Sequence, residues 1–464
     1  MGIVIKGGKI VTAVDEYYSD VRIEGEKIVS IGKEIERPGD EIISAEGCYI
    51  IPGGIDTHTH FDLDVGFTVT ADNFESGTKA AIVGGTTTIL DYATQNKGET
   101  LRSALLGQHK KAEGLCYCDY GFHMGITDWN DKVSEEMEDM IKEGVTSFKL
   151  YMAYKGKLQV EDEVIFKALR RCKEVKGLIG FHCENGDIID VLIKEAKQSG
   201  YIAPIYHALT RPAEVEREAI VRVLNIAEIA KAPVYIVHLS TRSGMLSILE
   251  GKKRGVEVYV ETCPQYLLLE DSLYGDKDSQ SFEGAKYVMS PPLRKEQDMK
   301  ALWEGIENKE ILTIGTDHCS FNFKGQKDMG IDDFTKIPNG APGVEHRMGL
   351  LYTFGVESGK ITLNDMVALT STNAAKLFGI YPQKGTIAVG SDADIVIWDP
   401  NFCSNISAAG QVQRVDYTPY EGFKQLGRPR YVFLRGDKVV SNSELIVRKP
   451  AGKYLFRRTY LGGV

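Results

Sequence analysis

Two histidines one residue apart close the apolar stretch Ile50-Ile-Pro-Gly-Gly-Ile-Asp-Thr-His58-Thr-His60. In an extended strand, positions i and i+2 project to the same side, so His58 and His60 can turn their rings toward one point. Imidazole nitrogen suits borderline divalent ions such as zinc. Taken alone, such a strand end fits a structural role as well as a ligand pair. Further along, other apolar, strand-like runs also end in side chains able to hold a metal: Lys149, His182, His238 and Asp317. One strand-end histidine is ordinarily a hydrogen-bonded core residue. Repeated endings of this kind point to a shared metal site.

Lys149 is the odd member, because an ammonium group repels cations. In Ser147-Phe-Lys149-Leu-Tyr-Met-Ala-Tyr154 it sits among apolar neighbours that would depress its pKa. A neutral amine can add carbon dioxide, and the carbamate formed is a carboxylate able to bridge two ions. The simpler reading of the residues alone is a lysine paired with a carboxylate. His123, also on an apolar run, reads as structural. His318, next to Asp317, would face away from it in a continuing strand and reads as a hydrogen-bonding support to the ligands.

Side chains this far apart in sequence need elements that bring their ends together. From about residue 52, apolar strands alternate with helical segments: Thr86 to Tyr92 after Ser76 to Val83, then Ser147 to Tyr151, Gly177 to His182, Val234 to His238, Val256 to Glu261 and Leu312 to Asp317. That rhythm predicts a parallel sheet closed as a (β/α)8 barrel, whose C-terminal strand ends form one face. Residues 3 to 50 instead read as short strands of a small antiparallel sheet, punctuated by Gly7-Gly8, Gly25 and Pro38-Gly39-Asp40. The stretch from Gly385, with Ile395-Val-Ile-Trp and Tyr431-Val-Phe-Leu, returns to that pattern and is expected to complete the same sheet. The division expected is 1–51 and 385–445 for a discontinuous β domain, and 52–384 for the barrel. Residues 446–464 form a basic extension carrying Arg448, Lys449, Lys453, Arg457 and Arg458, either a subunit-contact arm or solvated.

The chain has 464 residues, 55 Lys and Arg against 65 Asp and Glu, and a net charge of −10. That balance speaks against a nucleic-acid partner. No apolar run reaches the roughly 18 residues of a membrane span. The first residues read as a strand without the features of a signal peptide, and Lys6 stands where a myristoylation signal wants Ser or Thr. The eight cysteines lack paired spacing and read as reduced thiols of a cytoplasmic protein, with Cys116 and Cys118 packed in the core.

The ordered set His58-Thr-His60, Gly84-Gly-Thr-Thr-Thr, Ser147 to Tyr154, His182-Cys-Glu-Asn185, Val237-His238-Leu-Ser, Glu261-Thr-Cys-Pro-Gln-Tyr266, Ser290-Pro-Pro-Leu-Arg294, Thr316-Asp317-His318-Cys319, Pro338-Asn339-Gly340 and Gly390-Ser-Asp-Ala-Asp resembles the dihydropyrimidinase/hydantoinase branch of the amidohydrolase superfamily. The resemblance runs from about residue 3 to 445. It implies a distorted barrel with a β-sandwich domain, commonly in homotetramers. It implies two zinc ions, one held by His58, His60, carbamylated Lys149 and Asp317, the other by Lys149, His182 and His238, with a bridging hydroxide. It further assigns Tyr154, Ser290 and Asn339 to the substrate, and the loop Phe61 to Phe67 with Tyr151 and Leu158 to gating the ring substituent. Asp64 in that loop reads as facing solvent. The chemistry implied is opening of a cyclic amide: attack by activated water, Asp317 moving the proton, and the Tyr154 hydroxyl meeting the oxyanion.

Rival readings lie close by. A dihydroorotase would carry an Arg just after the His-x-His pair, where this chain has Phe61-Asp62. An allantoinase matches the Ser290 and Asn339 motifs less well. A non-catalytic, dihydropyrimidinase-related scaffold would have lost ligands, and all six are present. No His-Glu-x-x-His motif suggests a zinc peptidase.

Overall fold

The computed structural model describes residues 2–277 and 281–459. The closing Gly-Gly-Val of the basic extension lies outside them. Among the described residues eight parallel strands follow one another around a barrel in sequence order. They are β1 (Gly54–Thr59), β2 (Thr86–Thr94), β3 (Asp119–Gly125), β4 (Ser147–Tyr151), β5 (Leu178–His182), β6 (Val234–Ile236), β7 (Val258–Thr262) and β8 (Thr313–Ile314). Their β-branched and aromatic side chains are buried on both faces, as parallel strands covered by helices require.

Side-chain caps fix where helices begin. Asn73, Asn130, Asn185 and Thr241 accept from the backbone N–H of Ser76, Val133, Ile188 and Gly244, starting the helices Phe74–Val83, Asp131–Lys142, Gly186–Gln198 and Arg242–Lys253. Each cap is worth about 1 kcal/mol. Gly85, at φ +89°, makes the left-handed turn that reverses the chain from the first of these helices into β2.

The seam between β8 and β1 is held less by ladder bonds than by one side chain. The buried Arg347 guanidinium donates to Ile55 O at 2.9 Å, Ile314 O at 2.8 Å and Thr86 Oγ1 at 3.0 Å, joining β8, β1 and β2. Above it, His60 N donates to His318 O at 2.8 Å and His318 N to His58 O at 3.3 Å. Gly315 permits this approach, because a Cβ there would lie 2.7 Å from Glu261 Oε2 and 2.9 Å from His58 Cβ.

The remaining strands form two sheets, as the sandwich implied by the resemblance requires, and not the single antiparallel sheet suggested by the strand pattern alone. Four N-terminal strands, Ile3–Lys6, Asp20–Glu24, Lys27–Gly32 and Glu41–Ser44, make one sheet. Lys9–Val11, Glu16–Tyr18 and Tyr49–Pro52 join Ile395–Asn405, Lys424–Leu434, Asp437–Ser441 and Glu444–Leu445 in the other. Two pairings are parallel, Ile3–Lys6 with Glu41–Ser44 and Lys9–Val11 with Tyr49–Pro52. In both, the intervening chain makes further strands before returning, which is the long crossover a parallel pair needs. Val21, Ile23, Ile50, Ile395, Ile397 and Phe433 fill the core between the sheets.

Over residues 451–459 the basic extension is not the solvated tail that was one of the two expectations. It runs as a strap across the barrel end where the strands begin: Tyr120 N donates to Lys453 O at 3.0 Å, Leu455 N to Tyr120 O at 2.8 Å and Arg458 N to Gly379 O at 3.1 Å. Arg457 is buried and donates to Ser147 Oγ at 2.9 Å and to Phe122 O. Alternating basic and aromatic residues gave no hint that one arginine would enter the barrel. Among the described residues no helix is long and apolar enough to cross a membrane. The cysteines are unpaired, and Cys116 and Cys118 are buried.

Candidate metal centre and active site

The site lies at the opposite end, where the strands finish. His58 is the penultimate residue of β1 and His60 follows it; their Nε2 atoms lie 3.4 and 3.2 Å from Asp317 Oδ1. One ligand atom from each of these three residues lies within 4.8 Å of the others. Lys149, the central residue of β4, brings Nζ to 3.5 Å from His58 Nε2. His182 ends β5, and its Nδ1 is 3.0 Å from His238 Nε2. The His58 and His238 rings are 5.4 Å apart between centroids, so the two groups adjoin.

His238 and Asp317 reach the site by leaving strand geometry. β6 ends at Ile236 and β8 at Ile314, short of the expected His238 and Asp317. Beyond them His238 takes φ +40° and Asp317 φ +51°, and Tyr154 takes φ +68°. Such non-glycine backbone costs about 1–3 kcal/mol each and persists where surroundings impose it. Here it turns three site residues inward at once.

The electrostatics suit cation binding. Burial, reinforced by Lys149, holds the His58 imidazole well below its ordinary pKa, and burial with His182 does the same for His238. Burial lowers the Lys149 pKa to about 8. Burial alone would raise Asp317, but His58, His60 and Lys149 outweigh it and keep it ionised. The His238 Nδ1 has no hydrogen-bond partner among the described residues. His182 Nδ1 and His238 Nε2 face each other at 3.0 Å, a spacing that suits a shared proton or a shared cation. Nitrogen and carboxylate donors in this arrangement fit a divalent metal.

Two glutamates hold the histidines from behind. Glu261 Oε1 accepts from His58 Nδ1 at 2.7 Å, while its Oε2 accepts from Thr57 Oγ1 at 2.5 Å and Tyr235 OH at 2.7 Å. Glu184 Oε2 accepts from His182 Nε2 at 2.9 Å. A carboxylate on the far nitrogen fixes the ring orientation and raises ligand basicity. Sequence reasoning assigned neither glutamate, although Glu261 ends an apolar run just as the histidines do. His318 does not support the ligands through its ring. Its Nε2 lies 3.1 Å from Asp72 Oδ2 and its Nδ1 accepts from Gly343 and Val344, so only its backbone steadies β1. The cause is the turn at Asp317, which replaces the expected continuing strand. His123 uses both ring nitrogens, on Ser147 Oγ at 2.6 Å and Thr57 O at 3.1 Å, and is structural.

Tyr154, Ser290 and Asn339 come together beside His182. The Tyr154 and His182 rings are 5.2 Å apart, Tyr154 interacts with the Ser290 side chain, and Asn339 Nδ2 donates to Ser290 Oγ at 3.1 Å. Tyr151 places its ring 5.4 Å from Lys149 Nζ. Leu158 is half-buried in the turn after Tyr154, its N–H on Tyr154 O at 3.0 Å. Across from that turn, a Cβ on Gly66 would lie 3.9 Å from Lys157 Nζ, so the two loops face each other. Asp64 is exposed, and Phe67 is 54% exposed at the rim.

This barrel, with metal-competent side chains at its strand ends, agrees with what comparison finds. The amidohydrolase family pattern matches residues 49–439. A D-hydantoinase of Geobacillus stearothermophilus is 49% identical over 457 residues, 98% of this chain and 96% of that protein. A dihydropyrimidinase of Rattus norvegicus is 39% identical over 472 residues, 98% of this chain and 90% of that protein. The crystal structure of dihydropyrimidinase from Brevibacillus agri NCHU1002 superposes with a TM-score of 0.97 at 49% identity, covering 100% of both chains. The chain belongs to the amidohydrolase family and, within it, to the dihydropyrimidinase/hydantoinase group.

Proposed function

We propose that this chain is a zinc-dependent cyclic amidase that opens dihydropyrimidines or 5-substituted hydantoins to N-carbamoyl amino acids. The observation that carries the reading is the convergence of His58, His60, Lys149, His182, His238 and Asp317 at one barrel end. The names of the relatives, hydantoinase and dihydropyrimidinase, supply the substrate class.

His58, His60 and Asp317 would hold one ion, His182 and His238 a second, and Lys149, as its carbamate, would join both. Two zinc ions so held would lower the pKa of a shared water toward neutrality and polarise the ring carbonyl. The chain's residues do the rest. Asp317, ionised and acceptor-only, takes a proton from the attacking water and returns it to the ring nitrogen as the C–N bond breaks. The Tyr154 hydroxyl remains protonated, because burial raises its pKa, and donates to the oxygen on which charge develops. The Ser290 carbonyl and Asn339 N–H match the alternating N–H and C=O groups of an imide edge. Tyr151, Leu158 and the loop from Phe61 to Phe67 flank the space for the ring substituent.

Rates for dihydrouracil, hydantoin and D- and L-5-phenylhydantoin, measured alongside zinc content, test the reading. Two equivalents of zinc and turnover of at least one compound are expected. Metal-free protein without turnover after supply of zinc and bicarbonate would make it a scaffold. Light scattering tests the expected homotetramer.

A further inference from the structure

The segments carrying Ser290 and Asn339 are joined by a side chain with no role so far. Lys327, in the turn Lys327–Gly330, is completely buried. Its Nζ donates to Val288 O at 2.9 Å and to Pro338 O at 3.0 Å. Gly340 N donates to the same Val288 O at 3.0 Å, and His207 Nε2 holds Met289 O at 2.8 Å. No carboxylate forms an ion pair with Lys327 among the described residues. Burial accordingly lowers its pKa to about 7. An uncompensated buried ammonium is a costly way to fill space that a methionine would occupy as well.

What the lysine touches gives the reason. The Pro338 carbonyl and the Asn339 N–H are two ends of one conjugated peptide unit, so a donor on the oxygen polarises the N–H and strengthens it. The carbonyls around this cradle are engaged by Lys327, Gly340 and His207, whereas the Ser290 carbonyl and the Asn339 N–H have no partner among the described residues.

We propose that Lys327 is a positioning residue of the substrate cradle. It fastens segment 288–290 to 338–340 and primes the Asn339 N–H to donate to a ring carbonyl. The proposal rests on the reading of the site as a cyclic amidase.

Lys327→Met and Lys327→Gln are compared with wild type for kcat, KM, zinc content and melting temperature, using hydantoin and dihydrouracil. Lys327→Met is expected to keep its zinc and its fold while KM rises about tenfold, the worth of one hydrogen bond, and kcat falls by less. Lys327→Gln retains an N–H donor and falls between the two. Folded, zinc-loaded Lys327→Met with kcat and KM within about twofold of wild type overturns the proposal. So does a loss of activity that tracks lost zinc in both variants. If Lys327→Met does not fold, Lys327→Gln decides by the same KM criterion. Wild-type protein inactive on all cyclic amides overturns the functional reading and this role with it. An active wild type with an unaffected variant overturns the role of Lys327 alone.

Discussion

The two ends of the barrel both bury charge, and they do so in opposite ways. At the end where strands begin, Lys384 Nζ meets Asp119 at 2.8 Å, Asp392 at 3.4 Å and Asp394, while Arg435 pairs with Asp119. Positive and negative groups alternate there. At the end where strands finish, four histidines and Lys149 crowd one another, with Asp317 among them and two glutamates behind. The lysines register the contrast. Burial alone would lower Lys384, yet Asp394 and Asp119 outweigh it and raise its pKa, whereas burial lowers that of Lys149 to about 8. Compensated charge stabilises a fold, and uncompensated donors wait for a ligand. This matches the division of labour between the two faces of such barrels.

The contrast breaks most sharply at the ligands. His58→Ala or Lys149→Ala should lower kcat/KM by about 10³-fold or more, since metal assistance supplies several kcal/mol, with zinc content falling in parallel. Next in size, Tyr154→Phe should lower kcat by about 10²–10³-fold, as expected for one oxyanion donor, with KM little changed. Near-wild-type kcat would remove Tyr154 from the chemistry. At the other end, Lys384→Met should leave kcat/KM of the folded enzyme unchanged. It strands Asp119 and Asp394 and should cost about 3–5 kcal/mol in urea unfolding. An active-site defect there would blur the distinction. The smallest effect is on pH. The folded pKa of Lys384 lies above its unfolded value, so its contribution is complete below about pH 10.4 and declines as pH rises beyond that. Melting curves taken upward from pH 9 should show an alkaline decline in wild type that Lys384→Met reduces.

The convergence of the candidate ligands was legible because a barrel converts strand ends into neighbours, and apolar runs ending in His58, His182 and Asp317 announce those ends. The alternation of strands and helices announced the barrel itself. Other features depend on contacts that no local pattern encodes. Lys327 stands in Gln326-Lys-Asp328, which reads as surface until the turn is seen closed over it. Arg457 resembles any exposed basic residue, and only the strap across the barrel sends it inside. Ile3–Lys6 and Glu41–Ser44 each read as strands, but their parallel pairing depends on the path between them.

The strand Tyr49–Pro52 lies between Lys9–Val11 and Ile395–Asn405. During synthesis the sheet leading directly into His58 and His60 therefore stays without one of its neighbours until more than three hundred further residues have emerged. Arg457 arrives later still. The barrel's own hold on this pair, from Glu261, His318 and Arg347, comes from residues that emerge earlier, so the sandwich neighbour adds its support to a strand already held from one side. Complete support of the strand that leads into the pair therefore waits until most of the chain has been made.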